Sequence, residues 1–320
     1  MHTGQDRTDV VGRVALSTDQ VDRAWAVAEA AAARAGVTVS TATGLTEYVE
    51  VSGLLDRIWG SPVGQSTLSS DLLAALAHSH NYVGVVRRGE QVVGAAAGFF
   101  SSPPATLMHS HIAGVVAGAR GRGVGYALKL HQRAWALAHG ATRMTWTFDP
   151  LVARNAYFNV TRLGATIEEY LPNFYGDMDD AINGHGDSDR ILAHWELTRP
   201  LPMPAGETSA ERVEVERVPI LCRGSDGPAA VATTVPAPAR GRMLEVEIPS
   251  DVEALRARDA VAAECWRLVL RDALAPAFAA GWAVTGFRRD GCYLLTPEGE
   301  SVGAAAAAAA GRTGLRRPPG

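Results

Sequence analysis

The sequence predicts an α/β (α+β) protein: a mixed, mostly antiparallel sheet flanked by helices, with a smaller C-terminal α/β extension. Three observations predict it. Apolar residues at helical spacing over 44–59 give way to strand-like runs over 82–100. A glycine-rich turn, Arg120-Gly121-Arg122-Gly123-Val124-Gly125, stands between an apolar run at 112–116 and an amphipathic stretch through Leu137. After a Pro-, Gly-, Ala- and Ser-rich stretch beyond Pro200, strand and helix patterns return over 243–295.

Residues 1–17 read as a loose tail. The alanine-rich 21–35 reads as a helix. In 44–59, Leu45, Tyr48, Val49, Leu54, Leu55 and Ile58 keep mostly to one helical face, and Gly60-Ser61-Pro62 stops it. Ser69 or Ser70 caps a further helix through 77. The runs 82–86 and 92–100, joined by a polar turn, form a hairpin that Ser101-Ser102-Pro103-Pro104 ends. A strand at 107–116 feeds the glycine turn, and the helix after it runs to about 138, where His139-Gly140 closes it. A strand at 144–148, a short helix at 154–163 ended by Gly164, and strands at 166–170 and 191–197 around a polar loop follow. Beyond the Pro/Gly-rich stretch come a strand at 243–248, a helical span at 252–280 kinked at Pro276, and a hairpin over 282–295. The domain reading is a tail and helix at 1–40, a main domain at 41–198, a linker or long excursion at 199–241, a lobe at 242–296, and a disordered tail at 297–320.

The chain has 320 residues, 47% of them hydrophobic and 20% charged, the balance of a globular protein with room for two domains. A net charge of −4 argues against a general nucleic-acid binder. Cys222, Cys265 and Cys292 show neither metal spacing nor a disulfide framework, which fits a reducing, cytoplasmic setting. The first residues lack the apolar core of a signal peptide, and no apolar stretch is long enough to span a bilayer, so no membrane partner is expected. Lys129 is the only lysine, which reads as genomic composition.

Glycines in the 120–125 turn let backbone approach a ligand closely, and N–H groups at the helix start form an anion cradle suited to a diphosphate. A Walker loop would end in Gly-Lys-Ser/Thr, which is missing. A Rossmann turn needs a third small residue, and Tyr126 or Leu128 stands there, although Asp149 at the end of the next strand could imitate its ribose-binding acid. An ordinary tight turn with solvated arginines is the bland alternative.

The spacing Arg-x-x-Gly-x-Gly, with Leu128 following, resembles the coenzyme A pyrophosphate loop of the GNAT superfamily of acyl-CoA N-acyltransferases. The order of elements is that of a GNAT domain. The resemblance covers roughly half of the chain, 41–198. It implies a GNAT fold and an acyl-CoA co-substrate, acetyl-CoA or another, without a metal. Arg120, Gly121, Arg122, Gly123, Val124 and Gly125 would hold the diphosphate. Backbone N–H groups near Val115 and Val116 would polarise the thioester carbonyl.

A second match is Asn155-Ala156-Tyr157-Phe158-Asn159-Val160-Thr161-Arg162-Leu163-Gly164, similar to the family's pantetheine-contacting helix. Ala156 and Leu163-Gly164 fall in register. The family's asparagine position is Ala153, with Asn155 displaced, and its thiolate-protonating tyrosine position is Val160. Tyr157 is then one candidate for the leaving-group acid, core packing being its other reading.

His109 and His111 are two apart on a predicted strand and share a face. The family often places a glutamate base on this strand, about where His109 falls, and a histidine's ordinary pKa suits that task near neutrality. The structural alternative is a hydrogen-bonded, half-buried histidine. As a metal site, His-x-His lacks a third ligand. His78 and His80 repeat the spacing at a helix end, where capping or cationic roles fit better.

Between the last two strands of the main domain lie Asn173-Phe174-Tyr175-Gly176 and Ser188-Asp189-Arg190. This tract is similar to a GNAT subgroup known only as predicted acetyltransferases, whose look-alikes are linked to amino-acid acylation, including succinylation. Tyr175, Asp189 and Arg190 are the candidate acceptor contacts, Arg190 for a carboxylate. The alternatives are an Asp189–Arg190 structural clasp and a solvated acidic loop. Asp177, Asp179 and Asp187 lack EF-hand spacing for calcium.

The reading is direct acetyl or succinyl transfer to the amine of a small, amino-acid-like molecule. A non-catalytic acyl-CoA-binding or regulatory module is the runner-up and a dinucleotide oxidoreductase the third. Homo-oligomerisation stays open.

Overall fold

A computed structural model describes residues 16–61, 65–103, 106–176, 187–202, 215–224, 227–230 and 234–299. The expected tails up to residue 15 and beyond 299, and the loop 177–186 with Asp177 and Asp179, lie outside the described residues. The chain divides into two compact units, Met1–Met144 and Thr145–Gly320. The division falls inside the span read from sequence as one main domain.

In the first unit, α1 (Thr18–Ala35) starts at a capping box, with Ser17 and Gln20 exchanging hydrogen bonds, and ends at Gly36 in the left-handed region. β1 (Thr38–Thr41) follows, a short and mostly exposed strand that the sequence reading missed. Next come α2 (Gly44–Trp59) and α3 (Ser70–His78). β2 (Tyr82–Arg88), β3 (Gln91–Phe100) and β4 (Leu107–Val115) complete an antiparallel sheet in the order β1-β2-β3-β4.

Val51, Leu54, Leu55 and Leu73 of α2 and α3 pack on Val83, Val85, Ala95 and Ala97 of the sheet. α4 (Val124–Ala138) is buried nearly all round, as a helix between two layers must be. Sheet residues such as Tyr82 meet it on one side. The small side chains Ala24, Ala28 and Ala31 of α1 let that helix come close on the other.

In the second unit the strand order is β5-β7-β6-β11-β12-β10-β8-β9. The members are β5 (Arg143–Phe148), β6 (Thr166–Leu171), β7 (Arg190–Glu196), β8 (Glu216–Gly224), β9 (Gly227–Ala230), β10 (Arg242–Glu247), β11 (Trp282–Arg288) and β12 (Cys292–Pro297). Most pairings are antiparallel, and β10 with β8 is parallel. α5 (Ala153–Ala156) leads into a π-helical turn at Tyr157–Arg162, where a plain helix was expected. α6 (Val252–Arg258) and α7 (Ala260–Ala279) complete the unit.

Two further expectations change. The stretch read as a linker, 199–241, contains β8 and β9. β11 pairs with β6 through Val284 and Ile167, so the presumed C-terminal lobe continues the sheet that β6 and β7 belong to. The 252–280 span breaks at Asp259, whose carboxylate caps α7 by accepting from Ala262 N at 2.9 Å. Pro276 stays inside the last turns of α7, where its missing N–H costs one bond.

Candidate functional site

In the first unit the chain leaves β4, makes a 3-10 turn at Ala117–Ala119, and enters α4 through Arg120 to Gly123. Gly121 (φ 73°) and Gly123 (φ 80°) both lie in the left-handed region. A Cβ at Gly121 would meet nothing within 4 Å, and one at Gly123 only Ala35 at 3.7 Å. Arg120, Gly121, Arg122 and Gly123 are exposed. α1, α6 and α7 each start at a side-chain cap. α4 has no side-chain cap, as α2, α3 and α5 have none, and unlike α2 and α3 it has no acid in its first turn. A helix start so arranged favours an anion.

β4 carries a one-residue bulge. Ala97 pairs with Ile112 and Phe99 with His109, so Ser110 and His111 together face Gly98. A Cβ on Gly98 would come within 2.7 Å of His109 O, so only glycine fits there. The rings of His109 and His111 lie 6.4 Å apart and both pack near Phe99, across a bulge that interrupts the simple alternation. Burial, then His111 and Lys129, push the His109 imidazole down to about 4. Desolvation lowers His111 as well, although it is exposed at its edge. His109 is therefore neutral at pH 7, and a titration near neutrality is not its property.

Behind the bulge, Lys129 Nζ donates to Ser110 Oγ at 2.7 Å and to Gln132 Oε1 at 3.1 Å, while Ser110 Oγ donates to Gln132 Oε1 at 2.9 Å. Lys129 is 5% exposed, and desolvation pushes its amine down to about 7. Sequence reasoning passed over this group. The signal was a lone lysine at a position that packs inward on an apolar helix.

The oxyanion expectation changes at Val116, whose N–H donates to Val93 O at 3.0 Å. Antiparallel pairing alternates bond direction, so the Val115 N–H is directed away from β3.

In the second unit, Asn155 and Tyr157 are half-buried at the start of the π-helical turn, and Val160, at the family's tyrosine position, is buried in the core. Tyr157 OH accepts from Arg289 Nε at 3.0 Å. Such turns recur at functional sites.

The two halves of the 173–190 tract close on each other. Asn173, left-handed at φ 43°, accepts from Ser188 N at 3.1 Å, and Ser188 Oγ accepts from Tyr175 N at 2.8 Å. Asp189 is fully buried. Its carboxylate accepts from Tyr170 OH (2.6 Å), Asn173 N (2.9 Å) and Arg271 (2.6 and 2.9 Å). Burial opposes its ionisation, but the Arg271 and Tyr170 hydrogen bonds prevail and hold it below the usual carboxylate range.

Asp189 is thus a structural anchor and not an acceptor contact, because no lone pair is left facing solvent. Its ion-pair partner is Arg271. Arg190 is 5% exposed, donates to Asp189 O at 2.9 Å and lies under the Tyr175 ring, its guanidinium carbon 5.4 Å from the centroid. Tyr175 stays exposed, edge-on to exposed Phe174, with its OH 3.1 Å from Thr147 Oγ1.

Asp149, the imitation ribose acid, is 5% exposed and accepts from Arg256 at 2.5 Å, Arg267 at 3.1 Å and Leu151 N at 2.9 Å. Burial works against its charge, but Arg267 and Arg256 hold the carboxyl below its usual range. Buried and held by two guanidiniums, it is not placed as an exposed ribose-binding acid.

No protein-family model and no curated protein sequence matches this chain. Solved structures similar to it include an N-acetyltransferase from Staphylococcus aureus Mu50 (16% identity, 50% of this chain and 98% of that one, TM-score 0.42). Others are an acetyltransferase of the GNAT family from Streptococcus pneumoniae (13%, 49% and 98%, 0.42) and the ribosomal-protein-S18-alanine N-acetyltransferase from Escherichia coli (14%, 54% and 99%, 0.40).

Proposed function

We propose that the chain is a GNAT-type, acyl-CoA-dependent N-acyltransferase that moves an acetyl or succinyl group directly from thioester to the amine of a small, amino-acid-like acceptor. The observation that carries this reading is the 120–123 turn. Two left-handed glycines with open space beside them lead into a helix start without cap or acid, flanked by Arg120 and Arg122. Coenzyme A supplies a thioester and a diphosphate that suits such a cradle. His109, neutral at pH 7, accepts the proton that leaves the attacking amine. The Val115 N–H, directed away from β3, supports the developing oxyanion. The resemblance would assign Tyr157 the proton for the departing sulfur and Asn155 the pantetheine arm. Tyr175 and Phe174 offer the acceptor an exposed aromatic wall. Buried Val160 favours one second reading, a non-catalytic acyl-CoA-binding module.

Titration calorimetry with acetyl-CoA and succinyl-CoA tests the cradle, and thiol release with an amino-acid panel separates the two readings. Gly123→Asn keeps the left-handed backbone, which asparagine tolerates, and adds bulk at the turn. Affinity is expected to fall at least about tenfold with the fold retained, the loss of one or two charge-assisted hydrogen bonds. Unchanged affinity would overturn the cradle. Binding without turnover of any amine would leave the non-catalytic module.

A further inference from the structure

The Lys129 amine is tied into the strand that carries the candidate base, and both lie in the first unit. Lys129 Nζ, Ser110 Oγ and Gln132 Oε1 close a ring of hydrogen bonds at 2.7, 2.9 and 3.1 Å. Ser110 stands in the β4 bulge, between His109 and His111 on the chain. Packing alone does not call for an amine here. The other buried residues of α4 are mostly apolar, and a buried amine is costly where an aliphatic side chain would fill the same space. The cluster does not satisfy itself either: Gln132 Nε2, fully buried, has no hydrogen-bond partner among the described residues. A polar group kept at such a cost points to a task other than stability. The charges that reach His109 are those of His111 on its own strand and Lys129 on α4, while from β3 it meets the uncharged ring of Phe99.

We infer that Lys129 is a positioning residue for the His109 base: it fixes a positive charge against the bulge, so that a second positive charge on the imidazole is opposed and His109 stays a proton acceptor in acid solution. This rests on the acyltransferase reading above, in which His109 takes the amine proton. In a water-poor interior, like charges repel more strongly than in solvent. Burial is the larger cause of the low His109 value, and His111 and then Lys129 add to it. At the acid pH where His109 takes up a proton, Lys129 already holds its own.

Isotope-labelled histidine reports each imidazole by NMR in the full chain without turnover, and His109→Gln assigns the His109 resonance. At about pH 5, a group with a pKa of about 4 is about one-tenth protonated, and Lys129→Met should raise that fraction about two- to fivefold. Lys129→Gln, which removes the charge but keeps a hydrogen-bonding head, should do the same, and it stands in should methionine disturb the fold. His131, two positions along α4 and lowered by burial alone, should not move in either variant. The acid limb of acyl transfer should shift upward together with His109. An unchanged His109 in both variants would overturn the coupling. So would a His131 that rises as much as His109, the mark of water entering a loosened core. A wild type that releases no thiol with any amine would overturn the acyltransferase reading, and the catalytic use of the coupling with it, while the resonances would still decide the coupling itself.

Discussion

The two units bury their polar groups in opposite ways. In the first, buried titratable groups meet neutral hydrogen-bonding side chains. Lys129 rests on Ser110 and Gln132, and His131 on Tyr82 OH at 2.9 Å. Burial pushes Lys129 down to about 7 and His131, like His109, down to about 4. In the second unit the buried acids are locked to arginines: Asp149 to Arg256 and Arg267, Asp189 to Arg271, Glu245 to Arg288 and Arg217. Locked charges define a shape and do not titrate in the working range. Solvent-deprived bases remain neutral and can receive protons. On the proposed reading the first unit holds the base that receives the amine proton, while the ion-paired acids of the second hold its shape.

The comparison breaks most visibly at Asp149. Asp149→Ala strands Arg256 and Arg267 without their shared carboxylate and is expected to cost about 3–5 kcal/mol in denaturant unfolding. A loss below about 1 kcal/mol, the surface-pair range, would mean that the lock is no lock.

A smaller effect separates the units by pH. The folded Lys129 holds its proton less tightly than its unfolded counterpart, so the unfolded chain binds more protons between about 7 and the ordinary 10.5. Stability contributed at this site rises with pH across that window, on the order of a few kcal/mol. The buried histidines act likewise between about 4 and 6.5, where stability falls as pH drops. Asp149 and Asp189 have lowered values, so their contribution persists until pH falls below 3.8. Melting temperature against pH should show the first slope in the wild type and lose it in Lys129→Met. A slope that survives would place its source elsewhere.

Catalysis sharpens the same contrast. His109→Ala is expected to lower turnover about tenfold to a hundredfold with acyl-CoA affinity retained. Because His109 is neutral above about 4, its rate dependence should be flat through neutrality and fall only toward pH 4, and the variant should lose that acid limb. A variant as fast as wild type would move the base to solvent.

The smallest effect is expected at Arg190. Arg190→Lys keeps the charge but loses the planar stack on Tyr175. It should lower the melting temperature, by about 1 kcal/mol in stability, and slow amino acids and simple amines alike. A KM increase confined to amino acids would return Arg190 to the acceptor.

Much of the architecture was legible in residue order. Helix α2 begins at Gly44 and ends at Trp59 as its periodicity and Gly60 predict, because both signals are local. The glycine turn was legible for the same reason: left-handed backbone demands glycine at particular offsets. β8 was not, since Pro219 and mixed polarity resemble a linker until β10 supplies a partner. The site was less legible. Asp189 meets Arg271 across 82 positions, so nothing near Asp189 in sequence reveals that its oxygens are occupied. Arg289 lies 132 positions from Tyr157. The Val116 N–H looked available because its acceptor, Val93 O, belongs to another strand.

On the acyltransferase reading, the protein works among thioesters, reagents that acylate exposed amines unaided. In this chain of 320 residues the one lysine lies 5% exposed between helix and sheet, and the surface cations are guanidiniums, which stay protonated and are poor nucleophiles. Stray acyl groups find no lysine to mark on its surface.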